Sequence, residues 1–178
     1  SWDGNLYKSD VVRACIRPRS KAIGKLIPQH LRNNSQQGFS INPEPYIRFL
    51  LEEPNPYMSG QVFFEKMINQ LSLNNNAFAL IVRDENDIPV ELYNIPCVSA
   101  EAIYDKQGYL YLRFVNKNGR TVTYPYTDII HLRQDFNEND IFGTSPSQAL
   151  TQLMEIVSTS DQGIVKAIKN GGLIRWLL

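Results

Sequence analysis

The sequence predicts an α+β fold: a mostly antiparallel sheet or meander covered by helices, followed by a long C-terminal helix. Three observations predict it. Apolar residues recur at helical intervals in the first part of the chain, then alternate with polar ones from Ala77 to Arg133. Short polar links separate the alternating segments, which is hairpin chemistry. A helix-start signature at Ser145 then opens a second helical stretch.

The elements follow in order. Ser9 or Asp10 can cap a helix over about residues 10–25, with Val12, Cys15, Ile16, Ala22, Ile23 and Leu26 as its apolar positions. Pro18 lies inside that span, removes one hydrogen bond and is expected to kink or interrupt the helix. Arg13, Arg17, Lys21 and Lys25 recur every four residues and make a basic stripe. A short strand near Leu26–Arg32 is expected next. The stretch Asn33-Asn-Ser-Gln-Gln-Gly-Phe-Ser40 is poor in apolar residues and reads as a mobile loop.

A short helix around Glu44–Glu52 ends at the turn Pro54-Asn55-Pro56, because two prolines hold the chain in extended or turn conformations. Ser59 is placed to cap the next helix, where Val62, Phe63, Met67, Ile68 and Leu71 fall at three- and four-residue intervals. Asn74–Asn76 can end it, since asparagine tolerates a left-handed cap. Strands are expected at Ala77–Arg83, Ile88–Asn94, Val98–Tyr104, Tyr109–Val115, Thr121–Tyr126 and Ile129–Arg133. Asp84–Asp87, Asp105–Gly108 and Asn116–Gly119 link some of them. Leu110, Leu112 and Phe114 alternate with Tyr109, Tyr111 and Arg113, so one face is apolar and the other mixed. The economical architecture is an antiparallel meander covered by the two preceding helices.

A polar, acidic loop follows from Gln134 to Thr144. Ser145 caps the long helix, with Pro146 at its first position and Gln148 three residues after the cap, a capping box. Leu150, Leu153, Met154, Val157, Ile164 and Ile168 mark its buried side, and Gly171-Gly172 ends it.

A chain of 178 residues, 43% hydrophobic and 20% charged, fits one ordinary globular domain or two small ones sharing a core. Net charge is zero but unevenly spread. Residues 1–33 hold seven Lys/Arg against two Asp/Glu, residues 34–161 eight against sixteen, and residues 162–178 three against none. Basic ends around an acidic middle suit head-to-tail contacts between copies; scattered solvated charge gives the same sums. Cys15 and Cys97 lack metal-site or redox spacing and are expected to be buried free thiols in a reducing compartment. No apolar run reaches the length of a membrane span and no signal-peptide pattern opens the chain, so a cytoplasmic protein without membrane contact is expected. The chain opens at Ser1 and stops inside the apolar run Leu173–Leu178, and it reads as a fragment of a longer protein.

No motif supports an enzyme: there is no P-loop, dinucleotide fingerprint or nucleophile elbow. His131 lies in a strand, where packing or one hydrogen bond accounts for it. Asp135-Phe-Asn-Glu-Asn139 imitates the start of a calcium loop. It fails where Asp140 replaces the required glycine and Pro146 the bidentate glutamate. No cofactor or metal site is expected. The basic stripe could touch nucleic-acid phosphate, but no recognised nucleic-acid motif stands beside it. A solvated helix face, or one meeting an acidic neighbour, is the favoured reading over direct DNA contact.

Four stretches resemble the portal proteins of long-tailed phages and prophages. Val11-Val-Arg-Ala-Cys-Ile16 with Ala22-Ile-Gly-Lys-Leu26 is similar to that family's first helix. Leu50-Leu-Glu-Glu-Pro-Asn-Pro-Tyr-Met58 is similar to its helix end and Pro-Asn-Pro turn. Asn75–Asp84 with Leu92-Tyr-Asn-Ile-Pro96 resembles its central strands. Asp128-Ile-Ile-His-Leu-Arg133, Phe142-Gly-Thr-Ser-Pro146 and Lys169-Asn-Gly-Gly172 resemble its last strand and long helix.

The resemblance implies a subunit of a ring, typically dodecameric, at one capsid vertex of the virion, made in the host cytoplasm. Double-stranded DNA enters and leaves through its channel with weak, sequence-independent contact. The ring docks terminase, capsid and head–tail connector proteins. Residues 1–143 would then be a wing-like body and 144–172 a long helix leading toward the stem. Residues 173–178 would begin a truncated following segment. The rival reading is a bacterial nucleic-acid-binding module that uses the basic first helix.

Overall fold

The computed structural model describes residues 8–36, 38–97, 99–135 and 141–144. The first helix, α1 (Asp10–Gly24), is capped by Ser9, whose hydroxyl accepts from the Val12 amide. It runs through Pro18 as one continuous helix, so the expected interruption does not occur. Pro18 lies on the exposed side, where the carbonyl deprived of its donor is left to water. Only Val12, Ser20 and Gly24 are buried on α1; Cys15, Ala22 and Leu26, read as apolar-face positions, are exposed.

The expected strand at residues 26–32 and loop at 33–40 are replaced by a β-hairpin. Strand β1 (Leu31–Asn34) pairs antiparallel with β2 (Gly38–Ile41), from Leu31 opposite Ile41 to Asn34 opposite Gly38. The turn chemistry explains it. Asn34 Oδ1 accepts the Gln36 amide at 3.2 Å, and Gly38 adopts φ +78°, a left-handed conformation that glycine tolerates. Polarity concealed the hairpin in the sequence.

Helix α2 (Pro45–Glu52) starts with proline in its first turn, and α3 (Gly60–Asn74) is capped by Ser59. The helix α3 ends on Asn75 at φ +54°, the left-handed cap expected of the asparagine run. Phe63, Met67, Ile68 and Leu71 are buried as their spacing predicts, whereas Val62 faces solvent.

Six further strands follow: β3 (Asn76–Arg83), β4 (Pro89–Asn94), β5 (Ser99–Tyr104), β6 (Leu110–Val115), β7 (Thr121–Pro125) and β8 (Ile129–Arg133). They form two separate three-stranded sheets rather than one run of neighbours. The orders are β4-β3-β8 and β5-β6-β7, antiparallel throughout. The physical reason lies in β3. Its Ala77 and Ala79 face α3 in one core with Phe63, Met67, Ile68, Leu71 and Leu92. Its Phe78 lies in a second core with Leu112, Phe114 and Ile129, against which Leu80 packs. A strand apolar on both faces needs a cover on each. The helices provide one, and the β5-β6-β7 meander the other. The result is a three-layer α+β body in which β8 returns to the free edge of β3.

The three expected turns share one design. Asp84, Asp105 and Asn116 each accept two amides through Oδ1, those of Asn86 and Ile88, Gln107 and Tyr109, and Asn118 and Arg120, at 2.8–3.0 Å. Each turn then passes through a left-handed residue: Asp87 (φ +63°), Gly108 (φ +89°) or Gly119 (φ +73°). The long helix expected after Thr144, with Ser145, Pro146 and Gln148, lies outside the described residues. No helix among the described residues is long and apolar enough to cross a membrane.

Candidate functional site

The Pro-Asn-Pro turn is a docking element within the body. Pro54 and Asn55 are buried, while Pro56 is exposed. Asn55 Nδ2 donates to the Leu92 carbonyl at 2.7 Å and its Oδ1 accepts the Tyr57 amide at 2.9 Å. The Leu92 amide in turn donates to the Pro54 carbonyl at 2.7 Å. The turn thereby ties the end of α2 to β4. Gly60 completes the corner, because a Cβ there would lie 2.2 Å from the Leu51 carbonyl oxygen.

A second junction, between α3 and β3, gathers the chain just before residue 145. Asn75 Oδ1 accepts Gln134 Nε2 at 2.6 Å, and Asn75 Nδ2 donates to the Thr144 carbonyl at 2.6 Å. Asn76 Oδ1 accepts the Gly143 amide at 2.7 Å, and Asn76 Nδ2 donates to the carbonyls of Gly143 (2.7 Å) and Asn74 (3.1 Å). The Thr144 amide closes back on the Asp135 carbonyl at 2.9 Å. Gly143 allows this closeness: a Cβ would sit 2.2 Å from the Asn75 carbonyl oxygen and 2.3 Å from that of Gln134. Two adjacent side-chain amides thus pin both ends of the loop between Gln134 and Thr144.

His131 belongs to the same network. The Tyr126 hydroxyl lies 3.1 Å from Nδ1, and Nε2 lies 3.0 Å from Asn76 Oδ1. The amide oxygen can only accept, so Nε2 carries the proton and Nδ1 accepts from Tyr126. The ring stacks on Phe78 at 4.5 Å. Burial, with a smaller contribution from Arg133, pushes its pKa down to about 4, so the imidazole is neutral at physiological pH. Where packing or one hydrogen bond was expected, His131 has a ring stack and two hydrogen bonds.

The basic stripe is only partly free. Arg13 pairs with Asp10, and Lys21 Nζ lies 2.9 Å from Glu65 Oε2. The Lys21 hydrogen bond, followed by one from Gln61, holds the Glu65 carboxyl below the ordinary range. Arg17 and Lys25 make no ion pair among the described residues. Arg13, Ile16, Arg17, Lys21, Glu65 and Asn69 line a cleft of about 270 Å³ between α1 and α3. Buried Ser20 and Gly24, one turn apart, let these helices approach; a Gly24 Cβ would meet Glu65 Cγ at 2.5 Å. The stripe is therefore partly spent on holding α1 to α3.

The free thiols are not both buried as expected. Cys15 is exposed, and Cys97 is half-buried, with burial pushing its thiol up to about 11. No group of three or more metal-ligating side chains gathers among the described residues. Sequence reasoning placed Asn74–Asn76 at a helix end but missed their side-chain clamp. The available signal was two asparagines following a capped helix, with Phe142-Gly143-Thr144 further along the chain.

A family model described as phage portal protein matches residues 10–178, and the chain belongs to that family. Among curated proteins, it is 25% identical over 114 residues to an uncharacterized protein of Rickettsia felis, covering 64% of this chain and 28% of that protein. Among solved structures, a chain in the neck of an empty gene transfer agent particle, computed with C6 symmetry, gives a TM-score of 0.74 at 18% identity. That match covers 94% of this chain and 45% of the other. A chain in the neck of the native particle, computed with C12 symmetry, gives 0.71 at 18% identity, over 94% and 43%. A crystal structure of an HK97-family phage portal protein from Corynebacterium diphtheriae gives 0.52 at 12%, over 91% and 50%. The chain thus spans half or less of the length of these proteins.

Proposed function

We propose that this chain is the outer body of a portal subunit. Copies of the full protein form a ring at the capsid vertex, through which DNA is packaged and ejected. The observation that carries the reading is the family match across nearly the whole chain. The similarity of the fold to chains in gene transfer agent necks, one computed with C12 symmetry, supports a ring of twelve. The mechanism is non-covalent and needs no catalytic residue or cofactor: a heterologous contact, repeated around a rotation axis, closes on itself.

Within this reading, residues 1–143 form the wing-like body and residues 144–172 a helix running toward the stem. The Asn75–Asn76 clamp supports that division, because it anchors the chain at Gly143 and Thr144. Terminase and head–tail connector proteins dock on the assembled ring, and DNA slides past without tight grip. Arg17 and Lys25 supply at most a weak phosphate contact from this body. The test is native mass spectrometry of the full-length protein. The proposal expects one dominant species near twelve chains; a monomer under every assembly condition rejects it. Salt-dependent duplex binding by the monomer would instead favour the nucleic-acid-module reading.

A further inference from the structure

Hairpin β1–β2 leaves an apolar face uncovered. Side chains alternate across a two-stranded ribbon, so the register places Leu31, Ile41 and Phe39 on one face with Asn33. Arg32, Asn34, Ser40 and Gly38 fall on the other. All eight strand residues are exposed, and Leu31, Phe39 and Ile41 keep 54%, 73% and 61% of their surface in water. The hairpin closes on itself at its root, and one ion pair joins it to Glu44, the residue before α2. The Asn42 amide donates to the His30 carbonyl, the His30 amide donates to Asn42 Oδ1 at 3.0 Å, and Arg32 pairs with Glu44 at 2.7 Å.

A lone two-stranded hairpin is marginal in water and gains stability when its apolar face is covered. We propose that this face docks on the neighbouring copy of the same chain, so that β1–β2 is an arm joining consecutive subunits. The inference rests on the ring reading above. Three observations select a second copy as the occupant. In a ring, the next copy is the surface held beside the arm in fixed orientation, and that ring is the context the family and the C12 neck point to. Strands of four residues carry the apolar face about 13 Å beyond their root. The chain also exposes matching apolar surface. Leu26 and Ile27 face solvent at a cleft of about 320 Å³, bounded by Leu51 and Gly60, and Tyr46 and Phe49 of α2 point outward. Nucleic acid does not suit the face, since Arg32, the one Lys or Arg within residues 31–41, is on the opposite side and already paired.

The experiment uses the full-length protein. The triple variant Leu31→Ser/Phe39→Ser/Ile41→Ser changes only exposed side chains, and Ser40→Asp is the opposite-face control. The concentration needed for half-assembly is expected to rise at least tenfold in the triple variant and less than twofold in the control. The melting temperature of the monomer should be unchanged. Independently, a benzophenone amino acid at position 39 should yield, on illumination, covalent pairs of chains from assembled rings. A parent ring whose triple variant assembles normally overturns the arm alone, as do photoproducts confined within one chain. A parent protein that never assembles overturns the ring reading and the arm with it.

Discussion

Replacing Asn76 with alanine tests whether the junction before residue 145 is held by side-chain amides. The variant deletes four hydrogen bonds: Asn76 Oδ1 with the Gly143 amide and His131 Nε2, and Nδ2 with the carbonyls of Gly143 and Asn74. Each is worth about 0.5–1.5 kcal/mol net, and the half-buried imidazole nitrogen loses its acceptor outright. Water replaces part of the loss at the more open carbonyls, which leaves roughly 2–4 kcal/mol. The effect is local, so amide hydrogen exchange followed by mass spectrometry is the suitable assay. At about 1.4 kcal/mol per tenfold, exchange at Gly143 and Thr144 should accelerate roughly 30- to 700-fold. Peptides in the middle of α3 should be unaffected. Asn76→Asp keeps the acceptor oxygen but turns both donated bonds into oxygen–oxygen repulsion, and its charge should raise the His131 pKa. Exchange within threefold of the parent in Asn76→Ala would refute the clamp.

His131 sets a pH dependence. Its pKa is near 6.5 when unfolded and about 4 when folded. Between those values the unfolded chain binds more protons, so stability is full above about pH 6.5 and declines as pH falls toward 4. Urea midpoints for the parent should fall more steeply over that window than for His131→Asn; equal slopes exclude the effect. Gly143→Ala forces a Cβ against two backbone carbonyls and should destabilise by more than about 2 kcal/mol, read from the same midpoints. Met67→Ala opens a cavity at a residue 1% exposed and should lose about 2–5 kcal/mol. A loss under about 1 kcal/mol would mean that Met67 is not at the centre of the helix–sheet core.

Much of the body was legible because local chemistry and tertiary context agree. Ser59 caps α3 and Asn75 ends it as their side chains dictate, and Ile129–Arg133 is a strand at its expected bounds. Where the reading failed, the deciding partner was remote or the signal weak. Hairpin β1–β2 carries too few apolar residues to register as alternating, and only its turn chemistry marks it. The split into two sheets depends on β8 choosing the edge of β3, which no local period records. The contacts of Asn75 and Asn76 with Gln134, Gly143 and Thr144 span 59 to 69 residues of sequence and cannot be seen from either end alone. The basic stripe was visible as a pattern, but its pairing to Glu65, 44 residues away from Lys21, was not.

Cryo-electron microscopy of the full-length protein tests the central claim most directly. The account predicts a closed ring of identical subunits around an open channel. The three-layer body should lie away from the axis, the chain beyond Thr144 should head inward, and Phe39 should be buried against the next copy. Isolated monomers, an open filament, or a ring in which the body itself lines the channel would contradict it.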